Sequence, residues 1–194
     1  MSRMALAALA ALIAVVAICD RLAVRSSIAR GNEALRRDDI QAAAALYQAV
    51  LELRPASGAA SLGLGVAMYR QHRYEDAVRD FDRAGRSLHA ASDRARANYN
   101  RGNAYFALGE LHGALEGYKA ALRLDPSDED ARYNLAIVTQ LLQNERPDRD
   151  RSMARDQAEQ LVSALGPPRV KGPGRSEPLP ARRAPGSFRQ AVDR

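Results

Sequence analysis

Residues 95–128 read ARANYNRGNAYFALGELHGALEGYKAALRLDPSD, and the placing of small, aromatic and helix-breaking residues in this stretch decides the fold. Ala95–Leu108 holds good helix formers, Gly109-Glu110 interrupts them, and Gly113–Leu124 resumes a helical pattern. The stretch therefore reads as helix, turn, helix. Gly102 on the first helix and Ala114 on the second are the small residues that a close crossing of two backbones requires. Tyr118 supplies bulk, and Pro126 cannot continue a helix, so it marks the end of the second one.

The same pattern recurs upstream. Segments beginning at Val24, Gly58 and Ala95 put Gly31, Gly65 and Gly102 at the eighth place and Ala43, Ala77 and Ala114 at the twentieth. Tyr47, Phe81 and Tyr118 stand at the twenty-fourth, and Val50, Ala84 and Ala121 at the twenty-seventh. Pro55 and Pro126 close the first and third segments at the thirty-second place, where the second has His89. The starts lie 34 and 37 residues apart, and a partial fourth unit begins at Glu129, 34 residues after Ala95. A fixed period of this length marks stacked units that bury their apolar faces on one another. The aromatic at the twenty-fourth place then fills the space between one unit and the next. The expected fold is all-α: a solenoid of about three helix pairs over 24–143, with a closing helix over 129–143. The three extra residues in SLHAASDRA, together with His89, predict a looser region there or a longer second helix in the second unit.

These residues resemble the tetratricopeptide repeat (TPR) family, with the third unit close to its pattern and the other two more degraded. The resemblance implies a helix-turn-helix superhelix that serves as a scaffold for protein partners, with the first helix of each pair lining the concave side. Carried over place by place, the implied peptide-binding groove comprises Arg96, Tyr99, Asn100, Asn103 and Phe106 from the third unit, Tyr69 from the second, Asn32 from the first, and Tyr133 and Asn134 from the closing helix. An asparagine amide offers a donor and an acceptor to an extended backbone, the aromatic rings offer apolar walls, and Arg96 suits a carboxylate. The alternative is that Asn100 and Asn134, at equivalent places, bond to neighbouring helices and the tyrosines fill the core. The family's carboxylate-clamp subtype is only half matched, because Ile28 stands where it has a basic residue and Gly63 where it has asparagine. YNRGNAYFALG and DEDARYNLAIV further resemble small membrane-anchored TPR proteins that accompany MoxR-type ATPases and von Willebrand factor A-type proteins, methanol-oxidation accessory proteins among them. That likeness implies an adaptor in the assembly or maturation of a membrane-associated or periplasmic complex, such as methanol dehydrogenase.

Upstream of the repeats, Met4–Cys19 carries no charge, with Arg3 before it and Asp20, Arg21 and Arg25 after it. As a helix it spans roughly 24 Å, slightly less than a ~30 Å hydrocarbon core, so flanking arginines would have to snorkel. The segment 1–23 is expected to be an N-terminal signal-anchor and transmembrane helix in a bacterial inner membrane, passing once, that runs directly into the first repeat. The secretory-type start favours a periplasmic array, whereas Arg21, Arg25, Arg30, Arg36 and Arg37 pull the other way. Cys19 sits where a lipoprotein carries its lipidated cysteine, but Ile18 is a poor residue before such a cut.

Composition removes whole classes of activity. Of 194 residues 46% are apolar and only 5% aromatic, with no tryptophan, which suits an Ala/Leu-rich helical protein better than a sandwich or barrel. One cysteine and three scattered histidines (His72, His89, His112) supply no metal-ligand spacing, so no metal is expected. No phosphate loop, dinucleotide fingerprint or nucleophile elbow occurs, so no enzyme activity, cofactor or small-molecule substrate is expected. Asp125 and Asp128–Asp130 read as ordinary capping residues at a turn and helix start. The net charge is +6, and only two of the 29 basic residues, Lys119 and Lys171, are lysines. The chain closes with a charged linker over 144–165 that has a modest helical pattern, and a Pro/Arg-rich tail over 166–194 expected to be disordered. That tail motivates a second reading, a basic regulator binding nucleic acid or anionic lipid. The lack of aromatic interleaving and the apolar N-terminus weigh against it.

Overall fold

The computed structural model describes residues 3–144, 156, 160 and 170–172, with the side chains of the first helix described from Ala10 onward. Among the described residues there is no strand. Seven helices follow in order: α1 (Arg3–Arg36), α2 (Ile40–Leu53), α3 (Gly58–Arg70), α4 (Tyr74–Ser87), α5 (Ala91–Ala107), α6 (Leu111–Leu124) and α7 (Glu129–Asn144). Each helix packs on the next one along the chain, and α3 also meets α1 and α5, which is the neighbour-to-neighbour pattern of a solenoid.

Small residues set how closely the pairs approach. A Cβ placed on Gly31 would lie 2.7 Å from the Tyr47 ring, on Gly65 2.6 Å from Phe81, and on Gly102 2.8 Å from Tyr118. Ala43, Ala77 and Ala114 are fully buried opposite them. Tyr47 also reaches the following unit, where a Cβ on Gly63 would come within 2.3 Å of its ring. The glycine that departs from the clamp pattern is thus the floor on which that aromatic rests. The crossing between α5 and α6 is glycine on glycine: a Cβ on Gly117 would sit 2.6 Å from the Gly102 Cα.

Helix ends and turns repeat with equal regularity. The turns after α1, α3 and α5 each put one residue in the left-handed region at the fifteenth place of the unit, namely Asp38 (φ 62°), His72 (φ 59°) and Gly109 (φ 73°). Only the third uses the residue for which that conformation is free of strain. Asp39, Ser57 and Asp128 cap the helices that follow them, each accepting a backbone N–H three residues on. Helices α2, α4 and α6 are all 14 residues long and stop at the thirtieth place, at Leu53, Ser87 and Leu124. The expected longer second helix in the second unit is therefore not found. Its second helix stops on time without a proline, because Leu88 turns to extended backbone and lies over Gly58, where a Cβ would meet its side chain at 2.9 Å. The extra residues instead lengthen α5, which is 17 residues long and starts at Ala91.

Of two further expectations, the membrane-spanning segment falls partly on side chains outside the described residues, and the disordered tail needs correction. Among the described residues no helix is long and apolar enough to cross a membrane. In the part whose side chains are described, Ala10–Cys19 is free of charge and the same helix continues through Asp20, Arg21 and Arg25. The apolar side chains of this part, Leu12, Ile13, Val15, Val16, Ile18 and Leu22, are all exposed, while Asp20 pairs with Arg54 beyond α2 at 3.9 Å. In the tail expected to be disordered, Val170–Gly172 instead lies against the array. The remainder of the tail, and the linker 145–165 apart from 156 and 160, lie outside the described residues.

Candidate peptide-binding groove

The groove residues named from sequence separate into two groups. One is engaged between helices. The Tyr118 hydroxyl donates to Asn103 Oδ1 at 2.8 Å, and Asn134 Nδ2 donates to the same oxygen at 3.2 Å and to the Tyr99 hydroxyl at 3.3 Å. All four side chains are buried. Asn134 thereby ties the closing helix to α5. The first unit repeats part of this arrangement, with Tyr47 donating to Asn32 at 2.6 Å. In the second unit the corresponding ninth and twenty-fourth places are Val66 and Phe81, so hydroxyl and amide are absent together. The pairing follows from the cost of an unsatisfied buried polar group, about 1–3 kcal/mol. Burial pushes the titration of the Tyr47 hydroxyl upward. Phe106 is buried in the core around Tyr118 and Leu111, Tyr69 is buried with its ring edge-on to Tyr74 at 5.2 Å, and Tyr133 is half-buried.

The second group holds a peptide. Asn100 Nδ2 donates to the carbonyl of Lys171 at 2.8 Å, and the Lys171 N–H donates to Asn100 Oδ1 at 2.7 Å. Both faces of one amide thus grip one residue's backbone. Arg96 donates to the Gly172 carbonyl at 3.2 Å and pairs with Asp93 at 3.1 Å. Val170 packs against the core that holds Leu62, Val66 and Tyr69. The Lys171 ammonium reaches both carboxylate oxygens of Asp128 at 2.7 Å, lies 3.8 Å from Asp130, and sits 4.2 Å from the centroid of the Tyr99 ring.

Sequence reasoning placed Arg96, Tyr99 and Asn100 in this groove, and Asp130 along the same face of the closing helix, but read Asp128 only as a capping residue. Asp128 does cap α7, accepting from the Ala131 N–H at 3.1 Å while it holds the lysine. The available signal was Lys171 itself, the one lysine in an otherwise arginine-based tail.

Residues 28–87 match a family model described as tetratricopeptide repeat, and residues 102–143 match one described as TPR repeat. Over these residues the chain carries tetratricopeptide repeats. Among curated proteins it is similar to the Hsp70-Hsp90 organizing protein of Triticum aestivum, 31% identical over 108 residues, which are 56% of this chain and 18% of that protein. The match therefore spans under a fifth of the relative's length. Among solved structures, the first TPR of Spaghetti (RPAP3), bound to the HSP90 peptide SRMEEVD, matches with a TM-score of 0.59 at 22% identity, covering 63% of this chain and 95% of that one. The second TPR domain of human RPAP3, in complex with the HSP70 peptide SGPTIEEVD, gives 0.57 at 22% identity, covering 62% and 98%. A mutant O-GlcNAc transferase from Thermobaculum terrenum gives 0.57 at 22% identity and covers 75% of this chain but 27% of its own. At these identities the structural likenesses establish the fold. None of these relatives carries the narrower likeness to methanol-oxidation accessory proteins.

Proposed function

We propose that this protein is a non-catalytic adaptor whose concave TPR face grips a short segment of a partner protein. The observation that carries the reading is the two-way bond between the Asn100 amide and a backbone N–H and C=O, a contact that reads main chain and so suits any unfolded segment. The curated relative is a chaperone organiser, and two of the structural relatives hold peptides, which agrees with a partner that is itself a protein. The test is affinity capture from detergent extract with Lys171→Ala, which weakens the chain's own hold on the groove, and with Lys171→Ala combined with Asn100→Ala. Partners enriched by the first should fall about tenfold in the second, since a charge-free two-bond contact contributes on the order of 1–2 kcal/mol. Equal recovery by a folded variant refutes the reading.

In its narrower form the proposal attaches the adaptor to a bacterial inner membrane through residues 4–19, with the array on the periplasmic side, in service of complex assembly or maturation such as that of methanol dehydrogenase. Support for attachment comes from the sixteen charge-free residues and the exposed apolar side chains from Leu12 to Leu22. Support for the pathway comes from the phrases YNRGNAYFALG and DEDARYNLAIV. Protease digestion of spheroplasts should remove the array and leave the N-terminus protected. An array that survives intact until lysis refutes the periplasmic assignment.

A further inference from the structure

We propose that this groove selects for lysine. In this proposal a partner's segment is gripped through its backbone by Asn100, its lysine ammonium enters the site made by Asp128, Asp130 and Tyr99, and Val170–Gly172 of the same chain fills that site as a built-in competitor. The proposal rests on the adaptor reading and names what the adaptor recognises.

Three observations carry it. First, the ammonium site is built from desolvated acid: the Asp128 and Asp130 side chains are only 7% and 13% exposed and converge on one nitrogen. Two carboxylates held that close and that dry demand a cation between them. The Tyr99 ring below, 4.2 Å away, adds a face that favours positive charge. Second, the site is held by bonds in which Lys171 takes no part. Asp128 is held by capping α7, and Asn134 ties α7 to Tyr99 and Asn103. Third, the occupant is lysine in a chain where 27 of 29 basic residues are arginine. Its ammonium donates to both oxygens of Asp128 while it sits over the Tyr99 ring, so one compact charge meets every group of the site.

The chemistry is opposite in sign to that of the peptides SRMEEVD and SGPTIEEVD held by the structural relatives, which are rich in glutamate and end in aspartate. Such a segment laid along this groove would set its carboxylates against Asp128 and Asp130. The selected ligand is therefore a lysine flanked by small or apolar residues, as Val170 and Gly172 flank Lys171. Because the competitor is covalently attached, its effective concentration is on the order of millimolar, and a partner must displace it.

The test uses the full chain and a fluorescein-labelled synthetic peptide, GPPRVKGPGRS, copied from residues 166–176. Proteins compared by fluorescence anisotropy are the wild type, Lys171→Ala, and Lys171→Ala combined with Asp128→Asn and Asp130→Asn; asparagine at 128 keeps the α7 cap. Lys171→Ala should bind the peptide at least about tenfold more tightly than the wild type, because the internal competitor has lost its ammonium anchor. Adding the two asparagines should reverse that gain. A peptide carrying Lys171→Ala, and SRMEEVD, should each bind at least about tenfold more weakly than the parent peptide. Equal affinity of wild type and Lys171→Ala overturns the built-in competitor, as does a wild-type dimer that becomes a monomer in Lys171→Ala by light scattering. Equal binding of the parent and Lys171→Ala peptides overturns lysine selection. In that case Asn100→Ala decides the rest: lost binding leaves the adaptor reading standing, and retained binding removes it as well.

Discussion

Replacing Gly117 with alanine is the sharpest test of the packing on which the groove depends. In a helix interior the change from glycine to alanine is intrinsically favourable by about 1 kcal/mol. Here the new Cβ would lie 2.6 Å from the Cα and 2.7 Å from the N of Gly102, and 3.1 Å from the Asn98 carbonyl oxygen. Comfortable contact between heavy atoms begins near ~3.5 Å. The obstacles are all backbone, so no side chain can rotate away and α5 and α6 must separate by roughly 1 Å. Overpacking of this kind costs typically about 1–3 kcal/mol, and a rigid obstacle places it at the upper end. The net expectation for Gly117→Ala is a loss of about 2 kcal/mol, or roughly 5–10 °C in Tm for an array of this size. Gly85→Ala is the internal control, since on α4 the nearest atom to its Cβ is Asn98 Oδ1 at 4.0 Å, and that variant should gain about 0.5–1 kcal/mol. Urea and thermal unfolding of both full-length variants, followed by circular dichroism at the helical band, gives the comparison. If Gly117→Ala is stabilised alongside Gly85→Ala, the two helices do not cross on glycine and the packing argument fails.

Three more outcomes follow from the same geometry. Phe81→Tyr should lose about 1–3 kcal/mol because its hydroxyl would face Val66, and Val66→Asn in the same chain should recover part of that loss, measured as a double-mutant cycle in urea. Burial raises the Asp80 carboxyl to about 6, with Asp76 adding to the effect and Arg83, Arg79 and Arg73 opposing it. The folded state therefore keeps this proton while the unfolded state releases it, stability falls as pH rises from about 4 to 6, and Asp80→Asn should be more stable by about 1–3 kcal/mol at pH 7 yet nearly unchanged at pH 4. Asp38→Gly relieves a left-handed residue at φ 62° and should raise stability by about 0.5–1 kcal/mol, whereas the same change at an ordinary helical position should lower it; thermal unfolding separates the two.

How far the groove could be read in advance is clearest on α5. Asn100 and Asn103 stand one turn apart and have the same chemistry, yet one clasps Lys171 and the other accepts from Tyr118. Both were legible as residues of the concave-side helix. Their fates were not, because helical spacing fixes the direction of a side chain around its own axis and leaves open what stands opposite. The match between Tyr at the twenty-fourth place and Asn at the ninth, and between Phe81 and Val66, was present in the aligned units and would have revealed the interior role.

The sequence by itself determined the helix pairs, their period and the small-on-large packing, since these are local preferences repeated in register until stacking is the one way to bury them. It could not determine that Lys171 meets Asn100 across 71 residues, that Asp128 serves both a helix end and an ammonium, or that α5 takes up the inserted residues. Those are meetings between segments far apart along the chain. Only the folded superhelix brings them together, because its curvature, set jointly by every interhelical contact, fixes which distant groups lie within bonding distance.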